Sequence, residues 1–439
     1  MKKRRYTYYY GGNVMGLIEE TYRYRIVDEK IAGMMRSFGA VCVEGPKWCG
    51  KTWASLNQAE SVVYIADPTN SFQNQRMAQM SPELVLEGKF PRLIDEWQEV
   101  PEIWDAVRFS ADKDAQKGKF ILTGSSTPRR KGIFHSGAGR IARIRMNTMS
   151  LFELGESTGR ISLMDLFEDN VNPAATGEVQ LKQLIEYTVR GGWPGSMGLN
   201  LEDAARIPMQ YLRAVVEDDM YRLDGIQRDS AKVYSLIRSL GRNESTVVSN
   251  QTIRKDITVY KDEHVEIETI AEYLDVFERL FLIDNQPAFN PALRSSRRAL
   301  KSPKRHFTDP SLAVAALGAT PEMLFHDLNT FGFLFEALCE HDLKIYAEKH
   351  DGSLYHFRDD RGNEIDAVVE LRDGRWGAFE IKLGANQIDS AAEGLLKMKK
   401  ITEKEGEPPC FLCVICGLSN MAYKREDGVF VVPITAFKD

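Results

Sequence analysis

Two kinds of hydrophobic pattern alternate along this chain. Short apolar runs at 40–44, 90–96 and 120–123 are each followed by a turn, and they predict buried strands. At 180–190 and 204–222 the apolar residues recur every three or four positions, which predicts amphipathic helices. Strands alternating with helices indicate an α/β fold. The chain has 439 residues, enough for two to four domains.

The first of these runs leads into a glycine-containing sequence with a known chemistry. It is a complete G-x-x-x-x-G-K-T, formed by Gly45, Pro46, Lys47, Trp48, Cys49, Gly50, Lys51 and Thr52. After a strand and before a helix, this sequence predicts a phosphate-binding loop that cradles ATP with its backbone N–H groups. Lys51 is expected to contact the β- and γ-phosphates, and Thr52 to bind Mg²⁺ through its hydroxyl. An ordinary turn between a strand and a helix is the alternative.

The next two apolar runs end in polar residues that suit the same chemistry. Asp95 and Glu96 follow the run that begins at residue 90, which is the Walker B pattern. Asp95 is predicted to hold Mg²⁺, and Glu96 to polarise the attacking water. After the run at 120–123, Thr123 or Ser125 could contact the γ-phosphate or the water, although a simple strand cap is an equal alternative.

Several phrases occur in a fixed order from about residue 22 onward. They are the phosphate-binding loop, I-D-E-x-Q at 94–98, V-P-E at 100–102, L-T-G-S-S at 122–126, A-G-R at 138–140, S-L-F-E-L at 150–154 and G-G-W-P at 191–194. In these the chain resembles the prokaryotic predicted AAA+ ATPases that carry a C-terminal ATPase-associated domain of unknown function. Trp48-Cys49 and Gly195 depart from the residues usual there.

The resemblance implies a charge acting on the γ-phosphate, in cis or from a neighbouring subunit of a homo-oligomer. Arg140 is the residue carried over for this role. Arg143 and Arg145 lie close by, and the sequence does not choose among the three.

The predicted organisation has five parts. They are an N-terminal extension at 1–21, a P-loop AAA-type ATPase domain at 22–150, a helical lid-like region at 151–225, a winged-helix-like domain with a basic loop at 226–310, and an α/β restriction-endonuclease-like domain at 311–439.

The winged-helix-like part is predicted from helices at 231–241, 250–257 and 268–282, and the resemblance implies the same. The third helix is acidic, so it suits protein packing at least as well as DNA reading. Basic residues follow it without an intervening acid: Arg294, Arg297, Arg298, Lys301, Lys304 and Arg305. They predict either a wing that contacts DNA phosphates or a solvated loop.

Four charged residues near the C-terminus follow the order of a restriction-endonuclease-like core. Glu336 lies in an apolar helical stretch, Asp366 in a predicted strand, and Glu380 and Lys382 on one face of the next strand. Glu336, Asp366 and Glu380 would bind Mg²⁺, and Lys382 would polarise the water or stabilise charge on the phosphate. The alternative is a cross-strand ion pair in a nuclease-like fold without activity.

Composition narrows the classes of protein. The net charge of -6 gives no global attraction to nucleic acid, and no apolar run is long enough to span a bilayer, so a cytoplasmic protein without a membrane partner is predicted. Cys410, Cys413 and Cys416 fall in an apolar run that predicts a strand, on which they could not share one metal ion.

Three functional hypotheses follow. In the first, an ATPase couples ATP turnover to action on DNA through a nuclease-like domain. In the second, the last domain is catalytically inactive and the protein is a nucleotide-dependent DNA-binding or assembly module. In the third, it is an ATP-dependent switch that binds protein partners through the acidic helix.

Overall fold

The computed structural model describes residues 22–439 except 114–115, 128–134, 262–264, 293–301, 360 and 405. The predicted N-terminal extension lies outside the described residues. The α-helices are α1 Val27–Ser37, α2 Lys51–Leu56, α3 Thr69–Met80, α4 Ile103–Lys113, α5 Leu151–Leu154, α6 Leu163–Phe167, α7 Leu181–Arg190, α8 Leu201–Ala214, α9 Met220–Asp224, α10 Ser230–Arg242, α11 Asn250–Lys261, α12 Ile267–Arg279, α13 Pro310–Leu317, α14 Pro321–His326, α15 Leu328–Lys349 and α16 Ile388–Thr402. The strands are β1 Ala40–Glu44, β2 Ser61–Tyr64, β3 Arg92–Asp95, β4 Phe120–Gly124, β5 Ile141–Arg145, β6 Ile161–Ser162, β7 Ala174–Ala175, β8 Thr246–Val247, β9 Lys304–Arg305, β10 Ser353–Arg358, β11 Glu364–Glu370, β12 Trp376–Lys382, β13 Phe411–Cys416, β14 Met421–Lys424, β15 Phe430–Val432 and β16 Phe437–Lys438.

The first part of the chain is built on a parallel five-stranded sheet. Its strand order is β2-β3-β4-β1-β5, so β4 lies between the strands that carry the phosphate-binding loop and the Asp95-Glu96 pair. Strand β1 is fully buried and β3 largely so, because apolar side chains cover both faces of the sheet. In such a sheet, ligands bind at the carboxyl ends of the strands.

The C-terminal part is a second sheet between two helices. Its order begins β10-β11-β12-β13, with the first two pairs antiparallel and the β12–β13 pair parallel. Helix α15 packs on one face and α16 on the other, because alternate residues of β12 and β13 point to opposite sides. Cys413 and Cys416 accordingly pack on opposite faces, as the strand prediction requires.

The segment after the first domain belongs partly to this second sheet. Strand β7 pairs with β14 at the sheet edge, and β6 pairs with β16. The prediction of a helical lid-like region at 151–225 did not include these two strands. Each has two residues, too few to show a period of two in the sequence.

The middle of the chain contains three consecutive helices, α10, α11 and α12, with β8 between the first two. Strand β8 pairs antiparallel with β9. Residues 283–288 form isolated bridges both to the segment that contains β9 and to His356 of β10. This segment thus connects the three helices to the C-terminal sheet.

Candidate functional site

The phosphate-binding loop follows β1 at the carboxyl edge of the first sheet. Gly45 has a φ of 155°, and a Cβ atom there would lie 2.2 Å from the carbonyl oxygen of Met146. Gly50 has a φ of 103° and immediately precedes α2, whose first residue is Lys51. The two glycines therefore allow the tight path that directs backbone N–H groups inward at the start of a helix.

The remaining loop residues have diverse surroundings. The Lys51 ammonium is buried and donates to the Pro46 carbonyl at 2.7 Å, inside the loop. Trp48 is 66% exposed, whereas the Cys49 side chain is buried. Lys47 pairs with Asp219 at 2.5 Å. The side chains of Lys47, Trp48 and Cys49 therefore have different surroundings, and these residues contribute to the phosphate-binding loop through their backbone.

The residue predicted to hold Mg²⁺ lies beside the loop. Asp95 Oδ1 accepts hydrogen bonds from the hydroxyls of Thr52 and Thr123, both at 2.7 Å. Burial is the largest influence on this carboxyl and raises its pKa, while the two hydroxyls oppose that shift. A hydroxyl and a carboxylate side by side, next to a glycine cradle and a lysine, are a donor set that fits Mg²⁺ bound with a nucleotide.

The residue predicted to polarise water is held by polar neighbours. Glu96 has a φ of 57°, a left-handed conformation uncommon for a residue other than glycine and often found at functional sites. Its carboxylate accepts from Ser125 Oγ at 3.0 Å and from the Gln98 amide. Its backbone N–H donates to Thr123 Oγ1 at 3.2 Å. Thr123 and Ser125 thus connect β4 to the two acidic residues.

The three candidate arginines lie in different places. Arg140 precedes β5 at the amino edge of the sheet and pairs with Asp112 at 2.6 Å. The parallel strand of five residues spans roughly 13 Å from that edge to the loop. Arg140 is therefore not placed to act in cis, and that expectation was wrong. Its action from a neighbouring subunit stays a prediction.

Arg143 and Arg145 already have partners in the described structure. Arg143 Nη1 lies 2.7 Å from Glu44 Oε1, at the end of β1, and its guanidinium stacks over Trp104. Arg145 contacts Asp284 at 3.4 Å. Each of these two guanidinium groups is thus paired with a carboxylate of the chain itself.

Arg25, a buried residue that the sequence analysis did not identify, contacts the backbone of the phosphate-binding loop. Arg25 Nη1 donates to the Cys49 carbonyl at 2.7 Å, and Nη2 donates to the Asn147 carbonyl at 3.0 Å. Its Nε contacts Glu153 at 2.9 Å, within the S-L-F-E-L phrase. A lone arginine before the first helix carries no sequence signal for this contact.

The second cluster of predicted residues lies on neighbouring strands of the C-terminal sheet. Lys382 Nζ contacts Asp366 Oδ2 at 3.2 Å and Glu380 Oε2 at 2.8 Å. Asp366 Oδ2 also accepts the Ile381 backbone N–H at 2.8 Å. Asp366, Glu380 and Lys382 therefore lie together and are joined by ion pairs across two neighbouring strands.

Lys304 connects Glu336 to this cluster, although the sequence analysis assigned Lys304 to the basic loop. Lys304 Nζ contacts Glu336 Oε1, lies 2.7 Å from Glu340 Oε1, and donates to the Asp366 carbonyl at 3.0 Å. Glu340 follows Glu336 by one helical turn, a spacing that could have drawn attention to it.

The predicted Mg²⁺ site of the C-terminal part does not agree with these contacts. Among the described residues, no group of three or more acidic, histidine or cysteine side chains could hold a metal ion. Lysine ammonium groups contact Glu336, Asp366 and Glu380 directly. The three side chains as they stand do not fit a metal ion.

The pKa values of these carboxyls differ because their surroundings differ. Burial, with the Asp366 charge, raises the pKa of Glu380 to about 8, and burial raises that of Glu336 to about 7. Burial also acts to raise the pKa of Asp366, but Lys382, Lys304 and the hydrogen bonds from Ile381 and Glu380 oppose it, and the pKa is lowered. Lys382 in turn has a raised pKa, because its two carboxylate partners outweigh burial.

The predicted basic loop is only partly described. Arg294, Arg297, Arg298 and Lys301 lie outside the described residues. Lys304 and Arg305 are buried, and Arg305 donates to Asn250 Oδ1 at 2.8 Å. Their assignment to a wing that contacts DNA was wrong, because their side chains point into the protein.

Three comparisons with known families cover successive parts of the chain. Residues 37–155 match the family described as AAA domain. Residues 37–155 form an AAA-type ATP-binding domain. Residues 181–323 and 331–437 each match a domain of unknown function, designated DUF8612 and DUF4143 respectively.

Related sequences and structures are similar at low identity. The uncharacterized proteins Mb2031c of Mycobacterium bovis and Rv2008c of Mycobacterium tuberculosis are each 24% identical over 347 residues, covering 78% of this chain and 70% of the relative. The Walker-type ATPase paby2304 of Pyrococcus abyssi is 13% identical, with a TM-score of 0.39 over 66% of this chain and 94% of that one. The replication initiator DnaA bound to AMPPCP and single-stranded DNA is 14% identical, with a TM-score of 0.24 over 58% of this chain and 86% of that one.

Within the part of the chain that the structure describes, no helix is both long and apolar enough to cross a membrane.

Proposed function

We propose that the AAA-type domain hydrolyses ATP with Mg²⁺. The observation that carries this proposal is the hydrogen-bonded set beside the phosphate-binding loop: Thr52 and Thr123 on Asp95, and Ser125 on Glu96. It brings the lysine, the metal ligands and a candidate base to one edge of the sheet, where a nucleotide bound in the loop would end.

Each residue then has a role set by its chemistry. Backbone N–H groups of the loop bind the phosphates, and Lys51 leaves the Pro46 carbonyl to contact the β- and γ-phosphates. Thr52 and Asp95 would hold Mg²⁺, which neutralises charge on the phosphates. Glu96 orients and polarises the attacking water, and Ser125 with Gln98 holds its carboxylate in place.

The C-terminal part supports a coupling to DNA. Its element order α15, β10, β11, β12, α16, β13 places Glu336 on the first helix, Asp366 on the second strand and the E-x-K sequence on the third. This is the order expected of a restriction-endonuclease-like core. In the middle, three helices and a small antiparallel sheet suit a winged helix. ATP turnover would then drive or gate action on DNA.

Two partners other than DNA remain part of the proposal. A second copy of this chain could supply Arg140 to the nucleotide, since the exposed side chain lies far from its own loop. A protein partner could bind α12, whose exposed residues include Glu268, Glu272, Asp275 and Glu278.

The experiment is ATP hydrolysis by purified protein with and without duplex DNA. Lys51→Ala should abolish turnover, because it removes the charge that contacts the transferred phosphoryl group. Lys89→Ala is the control, because Lys89 is exposed and lies outside the loop. DNA-stimulated turnover lost only in Lys51→Ala supports the proposal. Tight ATP binding without turnover, unchanged by DNA, would contradict it.

A further inference from the structure

The cation in the centre of the C-terminal cluster comes from another region of the chain. Lys304 belongs to β9, which pairs with β8 of the middle region. Its side chain extends to α15 and β11, where it contacts Glu336, Glu340 and the main chain of Asp366. Only 7% of this side chain is exposed.

The backbone of Lys304 is fixed from two directions. Its N–H and C=O each pair with Gln286 at 2.9 Å. The Gln286 side chain in turn donates to the Tyr355 carbonyl of β10 at 2.7 Å. The Lys304 ammonium is therefore held at the site by the same segment that joins the middle region to the C-terminal sheet.

The three contacts of the Lys304 ammonium group occupy all of its hydrogen-bond donors. A lysine has three N–H donors, and here three oxygen atoms lie within hydrogen-bond distance of Nζ. Mg²⁺ would need an octahedral set of oxygen atoms at about 2.1 Å. Two of the oxygen atoms that could contribute, on Glu336 and Glu340, already face Lys304. Lys382 contacts one oxygen atom of Asp366 and one of Glu380.

We infer that Lys304 is the resident cation of this carboxylate site and takes the place of the divalent ion that the sequence predicts there. The inference rests on the proposed action on DNA and deepens it, because a site that lysine closes to metal ions would bind DNA without cutting it. It does not depend on ATP hydrolysis by the first domain. Lys304 also joins the middle region to α15, because its ammonium group contacts two carboxylates of that helix.

The test is Mn²⁺ binding measured by electron paramagnetic resonance in the full chain without nucleotide. Asp95→Asn serves as the background, because it removes the metal ligand of the ATP site. In that background we expect no tightly bound Mn²⁺. Adding Lys304→Met keeps the length of the side chain and removes its charge. This change should create one Mn²⁺ site that binds at least tenfold more tightly than any residual Mn²⁺ binding by the Asp95→Asn protein. Lys304→Arg keeps the charge and should create none.

Two results would overturn the inference. One is a Mn²⁺ site in the background protein that is lost on Glu380→Gln, because a metal ion would then bind despite Lys304. The other is a folded Lys304→Met protein that binds no Mn²⁺. If Lys304→Met unfolds, the variant that also carries Glu336→Gln and Glu340→Gln should fold again, since the uncompensated charges are gone. Failure of that triple variant to fold would also contradict the role of Lys304.

Discussion

The nucleotide site and the C-terminal site both bring carboxylates together, but the groups that contact these carboxylates differ. The Asp95 and Glu96 carboxylates accept hydrogen bonds from hydroxyl and amide groups. Glu336, Asp366 and Glu380 are instead in contact with lysine. A hydroxyl leaves the carboxylate charge in place for a cation to use, whereas an ammonium group neutralises it. The nearest donors therefore decide whether an acidic cluster can take a metal ion.

The two sites also draw on the chain differently. The nucleotide site is assembled from the loop at 45–52 and the ends of β3 and β4, within one sheet. The C-terminal site needs Lys304, which comes from the middle region. The first site can therefore be recognised from local sequence, while the second depends on how two regions pack.

The largest expected effect is on turnover at the nucleotide site. Glu96→Gln removes the base and keeps the shape, so we expect ATP hydrolysis to fall by roughly 10² to 10⁴-fold with ATP binding retained. Steady-state hydrolysis and equilibrium binding of ATP measure the two quantities. Glu102→Gln, an exposed residue of the following turn, is the matched control and should change neither. A Glu96→Gln protein with normal turnover would remove Glu96 from the mechanism.

The next effect is on stability, and it compares the two lysines of the C-terminal site. Lys304→Met leaves Glu336 and Glu340 buried without their cation, so the free energy of unfolding should fall by about 3 to 5 kcal/mol. Lys382→Met should cost less, because 28% of that side chain is exposed and water can solvate its partners. Urea denaturation of both variants gives the comparison. Equal losses would indicate that the two lysines are equally buried in solution.

A smaller effect is expected from Thr123, the residue of β4 that hydrogen-bonds to Asp95 and to the Glu96 backbone. Thr123→Val keeps the shape but removes the donor to Asp95 and the acceptor for the Glu96 N–H. Losing this positioning should reduce ATP turnover by about tenfold, corresponding to about 1.4 kcal/mol. Initial rates at saturating ATP give the result. Ser126→Ala, three residues further along, is the control and should remain within twofold of the unmodified protein.

The smallest effect concerns pH. The pKa of Glu380 is raised to about 8 in the folded protein, whereas an unfolded glutamate titrates near 4.5. Between these values the folded state keeps a proton that the unfolded state has lost, so the contribution of Glu380 to stability falls as pH rises from about 5 to 8. Glu336 adds a decline of the same sign, ending near pH 7. Glu380→Gln should therefore make the decline in melting temperature with pH shallower. An unchanged slope would mean that Glu380 is ionised throughout this range.

Much of the nucleotide site could be predicted because its residues follow strands in fixed local sequences. The glycines, Lys51 and Thr52 form one continuous phrase, and Asp95 with Glu96 ends an apolar run. The Arg25 support of Cys49 was beyond prediction, because it joins residues that only the folded chain brings together.

The C-terminal site shows the limit of the same method. Glu336, Asp366 and Glu380 were recognised by type and order, but the lysine that contacts Glu336 was not. Lys304 followed a basic stretch, which favoured a solvated or DNA-contacting assignment, and nothing local indicated its burial. Charge patterns along the sequence do not show which cations pack against which carboxylates.

The central claim is that the chain has one metal-dependent site, at the nucleotide. The most direct test counts Mn²⁺ ions bound per chain in the presence of a non-hydrolysable ATP analogue, using electron paramagnetic resonance. We predict one ion per chain, lost in Thr52→Ala and unchanged in Glu380→Gln. Two ions per chain, with the second lost in Glu380→Gln, would contradict the account, as would a single ion insensitive to Thr52→Ala.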